Sequence, residues 1–323
     1  MKLAIVGTGM IVNEGALPAL KEVPEIEKTA IFARPKSRDK AEKIAADNSI
    51  PKIYTDYDEL LNDAEIDFVY IGLINSVHYE YAKKALLAGK NVIVEKPFAT
   101  TATEVEEIKN IALEKKLYVF EAVTTLNLPN FSAIKEKLPE LGKIRAVTAN
   151  YSQYSSRYDK YFNGEVAPAF DPKSFGGALY DINIYNLNFI VGLFGEPLAV
   201  DYVANIGFNG VDTSGVAILK YKDFFATSLA AKDSDSPSFI LIQGEKGYIK
   251  TLDKPNSLGG FEIFLRGTDK VEKFALNKFS HRMTHEFKNF AQIYREKNFA
   301  KMAEGLKISL SVMKTAEKLR EKI

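Results

Sequence analysis

The strongest constraint on the fold is a repeated alternation, through the first 120 residues, between short apolar runs and longer amphipathic runs. The short runs have the length of buried strands, and the longer runs have helical spacing. The apolar runs are 3–6, 29–32, 67–71, 92–94 and 117–120. Strands separated by helices are typical of a parallel sheet covered on both faces. The pattern predicts a doubly wound α/β domain with ligands at the carboxyl ends of its strands.

After Glu121 the pattern changes to closely spaced extended runs. Seven such runs lie between 198 and 276, with turn signals such as 244–247 between them. Neighbouring strands of this density predict a mainly antiparallel sheet, and two helices at roughly 281–296 and 300–320 follow it. We therefore predict two domains, 1–122 and 123–323, with the border near 121–125.

A glycine-containing loop follows the first predicted strand. It reads Gly7-Thr8-Gly9-Met10-Ile11-Val12. Gly7 permits a tight turn, and Gly9 lets backbone N–H groups approach a pyrophosphate, which the start of the next helix also favours. Val12 stands where the usual pattern has a third glycine, so the helix–strand packing there is expected to be looser or shifted. The position of the loop favours dinucleotide binding over an ordinary strand-to-helix turn.

The end of the second predicted strand carries basic side chains. It reads Ala33-Arg34-Pro35-Lys36, with Arg38 nearby. An acidic residue at this place commonly binds the ribose 2′-hydroxyl of NAD, and none occurs here before Asp39. Guanidinium matches phosphate with two parallel hydrogen bonds, so this loop favours NADP over NAD. The alternative interpretation is a solvated basic loop.

Composition and charge exclude several function classes. With 43 basic and 42 acidic residues the formal charge is +1, so no global field attracts nucleic acid or an anionic membrane. The absence of cysteine excludes disulfides and thiolate chemistry, and three histidines do not favour a metal site. No run of about 18 apolar residues and no signal-peptide pattern occurs. We expect a cytoplasmic protein that binds a small molecule and neither nucleic acid nor membrane.

Three further segments carry a resemblance to a known family. They are Tyr70–His78 (YIGLINSVH), Ala88–Pro97 (AGKNVIVEKP) and Phe175–Tyr185 (FGGALYDINIY). With the glycine loop, they closely resemble the glucose–fructose oxidoreductase / myo-inositol dehydrogenase (Gfo/Idh/MocA) family, in order along nearly the whole chain. The resemblance implies an N-terminal Rossmann domain and a C-terminal α/β domain with an open sheet. It also implies an NAD(P)-dependent oxidoreductase of sugars, cyclitols or related compounds, and a homodimer or homotetramer formed through the open sheet.

The resemblance assigns catalytic roles to Lys96, Asp181 and Tyr185. Lys96 matches the lysine that the family places near the substrate hydroxyl and the nicotinamide. Tyr185 stands where many members carry histidine, and glucose–fructose oxidoreductase and dimeric dihydrodiol dehydrogenase are similar to this chain in using tyrosine. A phenol has a free pKa of about 10, which a neighbouring ammonium lowers. Either Lys96 or Tyr185 could transfer the proton, and Asp181 could orient either group or hold a substrate hydroxyl.

The remaining candidates lie near predicted strand ends or in a tyrosine-rich stretch. Cofactor contacts are predicted for Gly7, Thr8, Gly9, Met10, Ile11, Ala33, Arg34, Lys36, Arg38, Leu73, Asn75, His78, Glu95, Lys96, Pro97 and Glu121. For Glu121, a structural hydrogen bond is an equal alternative. The stretch 151–161 holds four tyrosines among polar groups, which suits a polyol, and we predict Arg157 and Tyr158 as substrate contacts. The alternative is a strand edge and loop at a dimer surface.

Three functions are compatible with these residues. The leading hypothesis is an NADP-preferring oxidoreductase that interconverts a hydroxyl and a carbonyl on a sugar-like or small alicyclic substrate. The second is a cofactor-binding regulator without turnover, because the yeast galactose repressor also resembles this family. Lys96, Asp181 and Tyr185 argue against it, since a regulator has no chemical need for an acid–base set. The third is a reductase for a non-sugar carbonyl, such as a dicarbonyl, or for a dihydrodiol.

Overall fold

The computed structural model describes residues 1–268 and 270–323, and their strands form two sheets. The strands of the first sheet are Lys2–Val6 (β1), Glu27–Phe32 (β2), Lys52–Tyr54 (β3), Phe68–Ile71 (β4), Asn91–Glu95 (β5) and Val119–Ala122 (β6). The strands of the second sheet are Ile144–Ser152 (β7), Ala199–Ile206 (β8), Asp212–Lys220 (β9), Phe225–Ala231 (β10), Phe239–Gly244 (β11), Gly247–Thr251 (β12), Phe261–Leu265 (β13) and Val271–Phe274 (β14).

Helices connect and cover these sheets. The α-helices are Leu17–Leu20 (α1), Arg38–Asn48 (α2), Tyr57–Asn62 (α3), His78–Leu87 (α4), Ala102–Lys115 (α5), Thr124–Asn127 (α6), Pro129–Lys137 (α7), Tyr158–Phe162 (α8), Ile184–Phe194 (α9), Arg282–Arg295 (α10) and Phe299–Arg320 (α11). Two π-helical segments are Ile11–Ala16 and Leu179–Asn183. Short 3-10 turns are Pro35–Ser37, Asn75–Val77, Leu138–Leu141, Pro168–Phe170 and Pro172–Ser174. Within the described ranges, no helix is both long and apolar enough to cross a membrane.

Residue contacts divide the chain into two compact units. The first contains 1–122 and 279–310, and the second contains 123–278 and 311–323. The predicted division assigned all of 123–323 to one domain, whereas helix α10 groups with the first sheet. Its aromatic side chains explain this grouping, because the Phe290 ring centroid lies 4.6 Å from that of Phe120 in β6. The division of function between the two domains stays a prediction.

The first unit contains the predicted doubly wound parallel sheet. Its strand order is β3-β2-β1-β4-β5-β6, and every pairing is parallel. Strand β3 was not predicted, because Lys52–Tyr54 contains a single aliphatic residue and occupies the sheet edge. Parallel pairing places the carboxyl ends of all these strands at one edge, where ligands of such sheets bind.

The second unit contains the predicted, mainly antiparallel sheet, in the order β14-β13-β12-β11-β7-β10-β9-β8. The β7–β10 pair is parallel, and the other neighbouring strands are antiparallel. One face of the sheet packs on α9 and is fully buried at Val147, Ile240 and Ile242. The opposite face exposes apolar side chains, including Val203 and Leu229, so the sheet is open on that side.

Candidate active site

Two glycines with different surroundings shape the loop after β1. Gly7 has a φ of +123°, and a Cβ added there would lie 2.4 Å from the carbonyl oxygen of Gly72. A Cβ added at Gly9 would meet nothing within 4 Å. Glycine is therefore required at residue 7 by its neighbours, whereas residue 9 borders open space. Around them Thr8 and Ile11 are half-buried and Met10 is 51% exposed.

The missing third glycine is compensated from the neighbouring strand. Val12 is fully buried, and a Cβ added at Gly72, after β4, would lie 2.8 Å from the Val12 Cγ2 atom. The close approach is thus made possible by Gly72, which directly follows the adjacent strand β4, and not by a third glycine in the loop. Sequence reasoning missed Asn13, whose Nδ2 donates to the carbonyl oxygens of Thr8 at 3.1 Å and Gly9 at 3.0 Å. These two hydrogen bonds fix the loop.

The basic loop after β2 presents two cations to solvent. Ala33 is buried and its N–H donates to the Tyr54 carbonyl at 3.1 Å, so the start of the loop is fixed. Arg34 and Lys36 are exposed. The Arg38 Nε lies 2.8 Å from the Glu42 carboxylate, one helical turn further on. Arg34 and Lys36 are therefore better placed than Arg38 to receive an anion.

Lys96 follows β5 in a loop that a buried histidine supports. The Lys96–Pro97 bond is cis, and Lys96 is half-buried. The Nδ1 atom of fully buried His78 lies 2.9 Å from the Pro97 carbonyl oxygen, and its Nε2 lies 3.2 Å from that of Leu73. Burial lowers the pKa of His78, so the neutral ring donates to one of these carbonyls. These two contacts position the loops that contain Leu73 and Pro97, and the cofactor contact of His78 stays a prediction.

Two buried carboxyl groups lie beside the Lys96 loop. The Glu95 Oε1 accepts a hydrogen bond from the Tyr70 hydroxyl at 2.7 Å, and burial raises the pKa of Glu95. The Glu121 Oε1 accepts from the Phe98 N–H at 3.1 Å. Burial raises the pKa of Glu121 to about 7, so this carboxyl titrates near neutral pH. Of the two alternatives for Glu121, the structural hydrogen bond is present.

Sequence reasoning missed a third buried carboxyl, Glu286 on α10. It is fully buried, and its pKa lies well above the usual range because of burial and the nearby Glu95 and Glu121 carboxyls. The sequence shows Glu286 only as an acidic residue between Thr284 and Phe287. The structure shows that both of these residues are fully buried. The three carboxyls belong to the interior of the first unit.

The predicted cofactor residues share one edge of the first sheet. They follow β1 (Gly7–Ile11), β2 (Ala33–Arg38), β4 (Leu73–His78) and β5 (Lys96 and Pro97), or lie at the carboxyl ends of β5 and β6 (Glu95 and Glu121). Leu73 and Asn75 are half-buried in the turn after β4. Because the strands are parallel, residues far apart in sequence converge at this edge, as the sequence predicts for a dinucleotide site.

In the second unit, Asp181 and Tyr185 lie on consecutive helical segments. Asp181 belongs to the π-helical segment Leu179–Asn183, and Tyr185 lies in α9. The Asp181 Oδ2 atom is 2.7 Å from the Nζ of Lys232, a residue that sequence reasoning missed. Tyr185 is 6% exposed, and its ring centroid lies 6.0 Å from that of Tyr151. The segment thus holds a paired carboxylate and a buried phenol ring.

The predicted substrate residues adjoin this helical segment through an aromatic cluster. Arg157 immediately precedes α8 and is half-buried, and Tyr158 begins α8. The Tyr158 ring centroid lies 5.9 Å from that of Phe170, and the Lys232 Nζ lies 4.2 Å from the centroid of the same Phe170 ring. Tyr158 is therefore linked to Asp181 through Phe170 and Lys232. Among the described residues, no group of three or more His, Cys, Asp or Glu side chains could hold a metal ion.

Comparison with known proteins places these elements in a family. Residues 1–123 match the model of the GFO_IDH_MocA oxidoreductase family with an NAD-binding Rossmann fold, and 134–250 match the GFO/IDH/MocA C-terminal domain. The chain is 33% identical to the scyllo-inositol 2-dehydrogenase (NADP(+)) IolU of Bacillus subtilis, over 100% of this chain and 97% of that relative. It is 30% identical to the trans-1,2-dihydrobenzene-1,2-diol dehydrogenase of Bos taurus, over 78% of this chain and 74% of that relative.

A solved structure shares the fold along the whole chain. The 3-ketoreductase KijD10 of Actinomadura kijaniata, in complex with NADP and TDP-benzene, superposes with a TM-score of 0.86 at 23% identity. The match covers 100% of this chain and 97% of that chain. Three findings agree on the family. Both family models match, the similarity to IolU extends over the full length of this chain, and the glycine loop and the later Glu-Lys-Pro element are both present. The chain therefore belongs to the Gfo/Idh/MocA family of NAD(P)-dependent oxidoreductases.

Proposed function

We propose that the protein interconverts a hydroxyl and a carbonyl group on a sugar-like, polyol or small alicyclic substrate, with NADP as the preferred cofactor. The observation that carries the proposal is the gathering of the glycine loop, two exposed basic side chains and Lys96 at the carboxyl edge of one parallel sheet. The name of IolU, an NADP-dependent inositol dehydrogenase, supports the same class of substrate.

The proposed mechanism gives each side chain a separate task. A bound nicotinamide would supply or accept the hydride, which no protein side chain can do. The Lys96 ammonium stabilises negative charge that develops on the substrate oxygen. The Tyr185 hydroxyl donates the proton that this oxygen needs during reduction and becomes a phenolate, and during oxidation the phenolate accepts the proton from the substrate hydroxyl. The Asp181 carboxylate, held by Lys232, accepts a hydrogen bond from another part of the substrate.

NADP preference predicts a large effect of Arg34. In Arg34→Ala we expect the Kd for NADP to rise about 10- to 100-fold, because a hydrogen-bonded charge pair contributes about 1.5–3 kcal/mol. The Kd for NAD should change less than about twofold, since NAD lacks the 2′-phosphate. Fluorescence titration measures both constants, and Arg295→Ala, an exposed arginine at the end of α10, is the matched control. Equal or tighter binding of NAD by the unaltered protein would contradict the proposal.

A substrate panel tests the reaction itself. Purified protein is incubated with NADP or NADPH and a panel of cyclitols, aldoses, dicarbonyls and dihydrodiols, and the nicotinamide absorbance is followed. Turnover of a cyclitol or sugar supports the proposal. Turnover confined to dihydrodiols or dicarbonyls would support the second candidate, which the 30% identity to the bovine dihydrodiol dehydrogenase favours. Binding of NADP without turnover of any panel member would favour a regulator.

The open face of the second sheet supports a homo-oligomer. Val203, Val216 and Leu229 are register partners on three adjacent strands, and Val203 and Leu229 are 64% and 39% exposed. We propose that a second copy of the chain covers this face, because an apolar, uncharged row suits a self-complementary twofold contact. Val203→Asp is expected to convert an oligomer to a monomer in light scattering. Leu87→Asp, at a 55% exposed leucine in α4, should leave the mass unchanged. A monomeric unaltered protein would contradict the proposal.

A further inference from the structure

The helical segment that precedes α9 is π-helical. It consists of the five residues Leu179–Asn183 and continues directly into α9, which contains Tyr185. In a π-helical turn the hydrogen bonds connect residues five apart, so the turn holds more residues than a turn of α-helix. Such turns are rare and are frequent at functional sites. The direction of the Tyr185 side chain therefore depends on what holds this segment in its π-helical form.

Strand β9 holds the start of the segment. The Asp212 carboxylate accepts a hydrogen bond from the Leu179 N–H at 2.7 Å and another from the Tyr202 hydroxyl at 2.8 Å. A Cβ added at Gly177 would lie 2.0 Å from the other oxygen of this carboxylate, so glycine is needed for the close approach. The first residue of the segment is thus attached to one strand of the second sheet.

Strand β10 holds the end of the segment through buried polar side chains. The Ser228 hydroxyl donates to the Asn183 Oδ1, and the Asn183 Nδ2 donates to the Ser228 carbonyl at 3.2 Å. The Asn186 Nδ2 donates to the Asn183 Oδ1 at 3.1 Å and to the Leu229 carbonyl at 3.0 Å. Asn183, Asn186 and Ser228 are fully buried, and we call these three residues the amide clamp. Two of its members stand on either side of Tyr185 in the sequence.

The rest of this contact has little power to fix a register. Ala226 and Ala230 lie on the same face of β10 as Ser228 and are fully buried. Their small side chains let the helical segment approach closely, but they offer no directional bond. Asparagine is a weak helix former, and buried polar networks that are hydrogen-bonded specify one arrangement. The amide clamp is therefore the part of the contact that distinguishes one register from the next.

We propose that the amide clamp is a positioning device that holds the segment in its π-helical register and so fixes the direction of the Tyr185 hydroxyl. The inference rests on the proposed function and deepens it, because it identifies residues that act through Tyr185. Each residue of an α-helix turns the chain by roughly 100°. A shift of the segment by one residue therefore redirects the side chains that follow by about this angle. A phenol displaced in this way is out of line for proton transfer.

The test is Ser228→Ala, which removes the hydroxyl that donates to Asn183 and leaves the backbone acceptors of β10 in place. We expect kcat to fall about 10- to 100-fold, because a misplacement of about 1 Å has an effect of this size. The KM for the substrate and the Kd for NADP should change less than about threefold. The reason is that Asp212 still holds the start of the segment, which includes Asp181.

Thr315→Val is the matched control. It removes another fully buried hydroxyl of the second unit, which donates to the Ser311 carbonyl within α11 at 2.8 Å. Both replacements should lower the Tm by about 2–4 °C, the effect of one lost hydrogen bond. Only Ser228→Ala should lower kcat. Equal kcat values for the two variants would overturn the positioning role.

A combination with Tyr185→Phe separates positioning from general damage. If the clamp acts through the Tyr185 hydroxyl, adding Ser228→Ala to Tyr185→Phe should lower kcat by less than about twofold further. A defect that only reduces the folded fraction would multiply the two losses. Multiplied losses would therefore overturn the inference.

A second variant keeps the test decisive if Ser228→Ala does not fold. Asn183→Leu/Ser228→Ala replaces both partners by apolar groups of similar shape, which is nearly neutral for stability because no buried polar group loses its partner. We expect a Tm close to that of the unaltered protein and a kcat that is still at least about tenfold lower. Recovery of kcat together with the Tm would show that packing alone is sufficient, and it would overturn the clamp.

Hydrogen exchange gives a reading that needs no substrate. In Ser228→Ala, or in the double variant, amides of residues 180–187 should exchange about 5- to 10-fold faster, as expected for the loss of one hydrogen bond. Absence of turnover by the unaltered protein overturns the proposed function and, with it, the effect of the clamp on proton transfer. Normal turnover by the unaltered protein, with unchanged exchange and unchanged kcat in the folded variant, overturns the clamp alone.

Discussion

Replacing Lys96 with methionine is expected to lower kcat/KM by about 10²- to 10³-fold, the usual loss when one charge-stabilising donor is removed. The surrounding loop should survive the change, because its fixed points lie elsewhere: the Pro97 carbonyl contacts His78 at 2.9 Å, and the Phe98 N–H donates to Glu121 at 3.1 Å. The loss should therefore appear in kcat, with the free energy of unfolding changed by less than about 1 kcal/mol. Steady-state kinetics and urea unfolding measure the two quantities.

The control for this prediction is Lys115→Met. Lys115 is an exposed lysine near the end of α5, and its replacement should leave both kinetics and unfolding unchanged. A Lys96→Met protein that retains at least half of the original kcat/KM would remove Lys96 from the mechanism. A protein that loses activity and stability together would make Lys96 a structural residue.

Replacing Tyr185 with phenylalanine is expected to lower kcat by about 10²- to 10⁴-fold, the usual contribution of a general acid or base. The ring of Tyr185 is 6% exposed in α9 and lies 6.0 Å from the Tyr151 ring, measured between centroids. Phenylalanine keeps that packing and removes only the hydroxyl. Cofactor affinity should stay within about twofold, because the phosphate and pyrophosphate contacts are proposed for the first unit.

Tyr248→Phe is the matched control, because it removes the hydroxyl of a half-buried tyrosine in β12. Combining Lys96→Met with Tyr185→Phe then asks whether both groups serve one step. Residues that act as a unit give strongly non-additive losses, so the combined variant should be little worse than the more damaged single one. Full turnover by Tyr185→Phe on the true substrate refutes the proton-donor role.

Local patterns made the fold predictable. Each buried strand of the first unit is a compact apolar run, and β4 and β5 were each predicted to within two residues of their ends. Strand β3 and helix α3 were missed, because Lys52–Tyr54 has no apolar run and Tyr57–Asn62 spans fewer than two turns. The grouping of 279–310 with the first unit was also missed, since it depends on which sheet the aromatic face of α10 covers. The sequence of one helix shows that it has an aromatic face, but it does not show which of two sheets that face will cover.

The place of a candidate site residue in the fold was predictable where the residue follows a strand, and it was missed where the residue pairs with one far away in the sequence. Lys96 and the glycine loop directly follow β5 and β1, so their position in the chain indicates their place in the sheet. Lys232 instead begins the charged run 232–235, which has the pattern of a solvated loop, and its partner Asp181 lies 51 positions earlier. The burial of Glu286 beside two other carboxyls was missed for the same reason, because Glu95 and Glu121 lie far away in the sequence, in β5 and β6.

The parallel β7–β10 pair has a consequence for the order in which the second sheet can assemble. Strand β7 is hydrogen-bonded to β10 on one side and to β11 on the other, and both are translated long after it. During synthesis this central strand leaves the ribosome with two unsatisfied edges, and no early hairpin can protect it. Such distant pairing slows folding and prolongs exposure to aggregation. Nascent chains that stop before residue 225 should therefore depend on chaperones more than chains that continue past residue 244.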